Sequence, residues 1–407
     1  MKSALAAFAH TQPYRNISVT PVREFTASRR SEIDPFRAMD VLAEANRMIA
    51  RGEKVISLAV GQPAAPAPQA ARDAARRMLD HGRVAYTDAL GRRDLRERIA
   101  RHYHDAYGES VAPERIMVTT GSSAGFNLAF LAAFDPGDRI AIAAPGYPAY
   151  RNILKALGLV PVEQEVDAST GYVFTADHLR RLHEAGPIAG VLVASPANPT
   201  GTMTPRDELR RLVEYADCAG IRFISDEIYH GLTYGQAEAT ALAFSDSPLV
   251  VNSFSKYYCM TGWRIGWLVL PPGLVRAAER IGQSLYISAP EMSQVAAAAV
   301  FDSRQELDAV REGYIRNRDL LAARLPALGF RDIAPIDGAF YAYAEVPAEA
   351  TGSTDFARDV LERCHVAITP GTDFVQRRGE RFVRISYACD HASLGEALDR
   401  MQAMLRG

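Results

Sequence analysis

Between about residues 115 and 290 the chain alternates short β-branched runs with longer amphipathic stretches. The runs are Arg115–Thr119, Arg139–Ala143, Val160–Glu165, Ile188–Ala194, Ile221–Ser225, Leu249–Ser253 and Arg264–Leu270. Between several of them lie segments such as Asp207–Ala216, with Leu209, Leu212 and Val213 on one side at helical spacing. Strand–helix alternation of this kind predicts an α/β fold: a large domain whose mostly parallel sheet is sandwiched by helices. At 407 residues and 48% hydrophobic, the chain can bury such a core and a second, smaller one.

After about residue 290 the texture changes. One long helical stretch runs through Ala296–Val300 to about Leu325, followed by short strands around Phe340–Ala344 and Phe382–Ser386 and a last helix at 393–405. Near the start, Asp34-Pro35 reads as an N-cap with proline at the first helical position, opening a helix that ends near Gly52. These signals divide the chain into an N-terminal arm (1–33), a small α+β domain (34–60 with 296–407) and a large domain (61–295).

The 46 basic and 48 acidic residues leave a net charge of −2, spread without long single-sign blocks. That is no footprint for nucleic acid or an anionic membrane surface. The longest apolar runs, such as Ile140–Ala144, are strand-sized, and the stretch Met1–His10 is too short for a secretory leader. Cys218, Cys259, Cys364 and Cys389 form no CxxC pair and have no histidines at metal-ligand spacing. The expectation is a cytoplasmic protein with reduced thiols and no metal.

In a parallel sheet, ligands bind in loops beyond the carboxyl ends of strands. Four such loops carry chemistry. In Thr119-Thr120-Gly121-Ser122-Ser123-Ala124-Gly125, small residues at a helix start let backbone N–H groups approach a phosphate, although many such turns use Gly and Ser only as turn and cap. No Walker motif and no G-x-G-x-x-G is present, which disfavours a nucleotide. Ser195-Pro196-Ala197-Asn198-Pro199-Thr200-Gly201 places an asparagine between prolines, either an ordinary turn residue or an amide aimed into a cleft. Phe223-Ile224-Ser225-Asp226-Glu227-Ile228-Tyr229 sets two acids after a hydrophobic strand; they open a helix in solvent, or Asp226 is a buried partner for a ligand cation. In Ser253-Phe254-Ser255-Lys256, followed by Gly262-Trp263-Arg264, the lysine sits among hydroxyls and aromatics with an arginine eight residues on. A lysine at a strand end is ordinarily a solvated charge, but desolvation and a cationic neighbour lower its pKa and free its amine.

The four loops, in this order and spacing, resemble the fold type I enzymes dependent on pyridoxal 5′-phosphate (PLP), specifically the class I/II aminotransferase family, which is aspartate aminotransferase-like. The resemblance runs from about Asp34 to the C-terminus. It implies that Lys256 is the Schiff-base lysine and proton shuttle, that Asp226 pairs with the pyridine nitrogen, and that Tyr229 and Asn198 bond the phenolic oxygen. Ser122, Ser123, Ser253 and Arg264 are implied to cup the phosphate, with Ser255 facing the other way from Ser253. Tyr147, in Pro145-Gly146-Tyr147-Pro148, matches the aromatic stacked on the ring. Arg384, in Phe382-Val383-Arg384-Ile385-Ser386, matches the grip on the substrate α-carboxylate, assisted by Gly61 and Asn198. Phe340 is implied as a pocket wall, and Tyr286 as another from a partner chain. Tyr86 matches the tyrosine that reaches the phosphate of the neighbouring subunit, which implies a homodimer with shared active sites.

The family also implies the reaction: transfer of an amino group from an α-amino acid to a 2-oxo acid, with 2-oxoglutarate the default acceptor. Some aspartate-preferring relatives carry lysine two residues beyond the glycine of the phosphate turn, where this chain has Ser123. With Tyr147, Tyr286, Phe340 and Tyr341 as pocket candidates, an apolar or aromatic donor is the expectation. The same residues serve lyases that eliminate at the β- or γ-carbon or close a ring, and a non-catalytic PLP-binding regulatory module is the reading from another class.

Overall fold

Seven strands form the central sheet of the chain, seen in a computed structural model that describes residues 26–375 and 378–406. Most of the expected N-terminal arm, residues 1–25, lies outside the described residues; the remainder makes an exposed turn at Arg29–Ser31. Across the sheet the order is Ile116–Thr119, Gly266–Val269, Leu249–Ser253, Arg222–Asp226, Gly190–Ala194, Arg139–Ala144, Val160–Glu165. Only Gly266–Val269 runs antiparallel to its neighbours. Six parallel strands therefore present their carboxyl ends at one edge.

Both faces of the sheet are covered, as a period of two with apolar residues on each side requires. Leu192, Ile224, Val251 and Leu268 pack on one face with Phe126 and Phe130 of helix Gly121–Ala133. Val191, Val193 and Phe223 pack on the other with Leu209, Leu212 and Val213 of helix Arg206–Ala219. The strand expected at Arg264–Leu270 begins two residues late, because Arg264 adopts a left-handed φ of 51° and turns the chain before Gly266.

The remaining elements build around a three-stranded antiparallel sheet, Thr369–Pro370, Phe382–Ser386 and Tyr341–Glu345, and a short parallel pair, Ile56–Ser57 with Val366–Ala367. Helices Ser353–Cys364 and His391–Arg406 contribute Val360, Leu394 and Leu398 to this core. Tyr229, Leu232 and Tyr234, from the loop after Arg222–Asp226, pack into the same core, so it joins directly to the edge of the large sheet. The single helical stretch expected from Ala296 to Leu325 is instead two helices, Glu291–Val300 and Arg304–Ala327. At the break, Phe301 packs between Phe254 and Tyr258, and Asp302 pairs with Arg98.

The expected cap at Asp34-Pro35 is corrected. The helix spans Arg37–Ala50, Phe36 is its N-cap residue, and no side chain of that residue caps it. Asp373, more than 330 residues away in sequence, accepts hydrogen bonds from the backbone N–H groups of Arg37 (3.0 Å) and Ala38 (3.2 Å). Asp34 instead faces Arg151 and Lys155, each at 3.8 Å. A cap removed costs about 1 kcal/mol, so Asp373→Ala should lower stability to urea by that amount. Asp34→Ala removes only two long contacts, at 3.8 Å, from a half-exposed carboxylate, and should stay within about 0.5 kcal/mol of the parent.

Candidate active site

The loops after five parallel strands converge on a cavity of about 350 Å³. Each strand end delivers a different group. Ile116–Thr119 leads into helix Gly121–Ala133, whose first turn carries Ser122 and Ser123. Arg139–Ala144 leads to Tyr147, the N-cap residue of helix Pro148–Ala156. Gly190–Ala194 leads to Asn198, which precedes a cis peptide bond to Pro199. Arg222–Asp226 ends on Asp226 itself, and Leu249–Ser253 is followed by Ser255 and Lys256. All of these except Ser253 line the cavity, together with Gly61, Tyr229, Arg264 and Arg384.

At one end of the cavity, Arg264 lies over the start of helix Gly121–Ala133. Gly121 has φ +76°, and a Cβ there would run into the Arg264 guanidinium, so glycine is what admits the arginine. Arg264 Nη1 donates to Thr261 O at 3.0 Å. Helix N–H groups, hydroxyls and a guanidinium together form an anion site. Ser255, not Ser253, supplies the hydroxyl on the cavity wall. Ser253 lies directly behind it, its Oγ 2.8 Å from the Ser255 Oγ and 3.1 Å from Ile265 O and accepting from the Ser255 N–H at 3.0 Å.

Asp226 is buried and held at both oxygens. The Tyr150 hydroxyl donates to Oδ2, and the Ile228 N–H donates to Oδ1 at 3.1 Å. Burial pushes its carboxyl up to about 6, against the pull of these two bonds. Tyr150 was absent from the sequence expectations. Its signal is the Tyr147-x-x-Tyr150 spacing, which puts both rings on one helix face, edge to face at 5.3 Å.

The part-buried Lys256 donates from Nζ to Gly61 O at 2.6 Å. Burial, then the Arg384 and Arg264 charges, lower its pKa to about 8, and Asp226 partly opposes them. Glycine is required at position 61 because a Cβ there would overlap the Tyr341 hydroxyl. That hydroxyl lies 2.9 Å from the Tyr229 hydroxyl.

Arg384 is buried in strand Phe382–Ser386 with its guanidinium between two rings, 4.4 Å from the Tyr341 centroid and 4.9 Å from that of Phe374. It donates from Nη1 to Asn198 Oδ1 (3.0 Å) and from Nη2 to Ala59 O (2.5 Å). Its Nε is buried without a partner, and no carboxylate lies within ion-pair distance among the described residues.

Three expected site residues do not line the cavity of this chain. Phe340 is fully buried, packed edge-on against Tyr229, Tyr314 and Tyr341, with its ring centroid 5.8 Å from the Lys256 amine; the next residue, Tyr341, lines the wall. Tyr286 packs into the core around helix Gly121–Ala133 and does not reach the cavity of this chain. Tyr86 is 78% exposed on a loop and is likewise outside it.

Residues 53–401 match the family model for aminotransferase class I and II. The chain belongs to that family. It is 45% identical over 381 residues to a valine–pyruvate aminotransferase of Mycobacterium tuberculosis, spanning 92% of this chain and 97% of that one. With an aspartate/prephenate aminotransferase of Thermus thermophilus it shares 34% identity over 385 residues, 93% and 98% of the two chains. It superposes on the crystal structure of an aminotransferase from Mycobacterium tuberculosis with a TM-score of 0.92 at 43% identity, covering 94% of this chain and 99% of that one. The enzyme is an aminotransferase that depends on PLP, and the reading as a non-catalytic module falls away.

The cavity residues fit that cofactor. The Gly121–Arg264 cradle suits a phosphate, the buried Asp226 suits a ring N–H, and Lys256 is an amine with a lowered pKa. Arg384 lies apart from the cradle with a donor to spare.

Two pH dependences follow from these groups. Lys256 should capture PLP covalently in the apoenzyme at a rate that rises with pH and levels above about 8, where its amine is neutral. A free lysine levels near 10.4; a stopped-flow pH series distinguishes the two. For Asp226, the folded apoenzyme binds the proton more tightly than the unfolded chain. Its contribution is therefore fully present below pH 3.8 and lost as pH rises through about 6. Asp226→Asn apoenzyme should melt higher than the parent at pH 8, by up to about 3 kcal/mol, with the gap closing toward pH 4.

Proposed function

We propose that this enzyme moves the α-amino group of an apolar or aromatic α-amino acid to a 2-oxo acid such as pyruvate or 2-oxoglutarate. The carrying observation is Arg384, a buried guanidinium that among the described residues has no counter-anion within ion-pair distance and an Nε without a hydrogen-bond partner. Burying such a group is unfavourable unless an anion completes it, and its planar fork matches a carboxylate at two points. An α-carboxylate set between Nε and Nη2, with Asn198 fixing Nη1, orients the substrate α-carbon.

The apolar preference rests on what surrounds that position. Phe36, Met39, Tyr147 and Phe374 line the cavity, and among the described residues its cationic lining is Lys256, Arg264 and Arg384. Each of these three already has a task, so none of them is left for a second substrate carboxylate. The 45% identical relative, a valine–pyruvate aminotransferase, accords with an apolar donor.

When bound, the cofactor supplies a carbonyl carbon open to amines and a ring that draws electrons from the substrate α-carbon. Lys256 would anchor it covalently, and its amine, with a lowered pKa, is the group that would take and hold the proton of the substrate α-carbon. Asp226, fixed by Tyr150 and the Ile228 N–H, would pair with the ring N–H. Tyr229 and Asn198 would donate to the ring oxygen, and Tyr147 would pack against the ring. Ser122, Ser123, Ser255 and Arg264 would hold the phosphate, with Ser253 behind Ser255.

The outward Tyr86 completes that phosphate site in a second copy, so the working enzyme is a homodimer. It is placed in the cytoplasm. Free thiols at all four cysteines accord with this, and among the described residues no helix is long and apolar enough to cross a membrane.

A panel of amino acids with pyruvate and 2-oxoglutarate, assayed for keto acid and for ammonia, tests the reading. Valine and phenylalanine should outpace aspartate, with acceptor amination matching donor loss. Ammonia released without acceptor would mean elimination instead. Arg384→Ala should raise KM for the donor about 100-fold, the scale of a lost charge-assisted pair, while PLP stays bound.

A further inference from the structure

A second set of buried charges lies on the face of the sheet opposite Asp226. Glu227 continues the central strand by one residue, its N–H donating to Val251 O at 2.9 Å, so its side chain leaves on the other face from Asp226. It is 1% exposed. One carboxylate oxygen accepts three bonds, from the Ser225 hydroxyl (3.0 Å), the Thr240 hydroxyl (2.9 Å) and the Ala241 N–H (3.0 Å). The other oxygen is buried with no hydrogen-bond partner and faces His230 Nδ1 at 3.7 Å. The same Nδ1 lies 2.8 Å from the Tyr107 hydroxyl. His230 also lines a separate polar cavity of about 510 Å³ between helices Arg93–Tyr107 and Arg304–Ala327, through which water and protons can reach it.

Resting on the assignment of Asp226 to the ring nitrogen, we propose that His230 is a positioning residue for transamination. Its imidazolium balances Glu227 behind the sheet, so that Asp226 can stay ionised toward the cofactor. Burial raises the pKa of Glu227; the charge of His230 and the three donors on one oxygen pull it back toward the ionised form, and a buried carboxylate needs such an opposite charge nearby. Left unbalanced one residue from Asp226, it would make that carboxyl harder to ionise. Burial is the largest influence raising the pKa of Asp226; of the neighbouring charges, that of His230 lowers it and that of Glu227 raises it.

The other groups around His230 do not replace it. Burial, then the His230 charge, depress His102 to about 4, so it is neutral in the working range. Tyr107 is pushed far up by burial and keeps its proton. Glu238 is an anion tied to Thr233 and Gly231, and Arg311 is turned to the Thr233 carbonyl at 2.7 Å.

The test uses the full-length enzyme, stripped of cofactor and titrated with PLP between pH 5 and 8. A protonated Asp226 pairs poorly with the ring, so the acid limb of PLP affinity reports its ionisation. His230→Gln removes a cation and should move that limb up by about half a pH unit, whereas Glu227→Gln removes an anion and should move it down. The double variant should return close to the parent. Tyr107→Phe, which keeps every buried charge, should move it in the His230→Gln direction by less, and it stands in if Glu227→Gln does not fold. A structural role alone gives shifts of one sign, or lowered melting with no shift; either result overturns the proposal. Asp226→Asn is the control. A limb that survives it overturns the Asp226 assignment first, and this inference with it.

Discussion

The edge where six parallel strands end on one side is the constraint from which the site follows. A strand buried on both faces can expose polar groups only at its ends. At this edge that rule gathers Asp226, Asn198, Ser122 and Lys256 from segments far apart in sequence. The same edge is roofed by the core containing Tyr341 and Arg384, which removes water and raises the energy of every charge left inside.

Those charges do not balance within the chain. Lys256, Arg264 and Arg384 face the cavity against Asp226 and Asp373. The Asp373 oxygens are already occupied by the N–H groups of Arg37 and Ala38. The cavity thus carries an excess of cationic groups, which a phosphate and an α-carboxylate together offset. This excess also has a chemical consequence at the lysine, because Arg384 and Arg264 destabilise a charged amine at Lys256. Groups that bind the two anions are the same groups that make Lys256 nucleophilic, so binding and reactivity share one electrostatic cause.

How much of this was legible in sequence depends on whether a residue acts through its neighbours in the chain. The strands, the phosphate turn at Gly121-Ser122-Ser123 and the Ser255-Lys256 segment are local patterns, and each is found close to where periodicity and turn chemistry put it. Tyr150 carries a local signal too, the i, i+3 spacing from Tyr147. Asp373 carries none. Its role as the cap of helix Arg37–Ala50 exists only because the chain returns after more than 330 residues. Phe340 and Tyr341 are both pocket candidates by sequence, and only the fold separates them: Tyr341 lines the cavity, while Phe340 is buried with its ring centroid 5.8 Å from the Lys256 amine.

Substrate preference lies deepest in this non-local category. The apolar side of the cavity is built by Phe36 and Met39 from near the start of the chain and by Phe374 from near its end. Asp373 joins the two, since the residue that caps the helix carrying Met39 is the immediate neighbour of Phe374. Helix position and the ring beside Arg384 are therefore mechanically linked. Met39 and Phe374 thus meet at one cavity through a single cap, and the Phe374 ring centroid lies 4.9 Å from the Arg384 guanidinium. The apolar wall and the buried cation are set by the same long-range contact, which no local pattern in the sequence records.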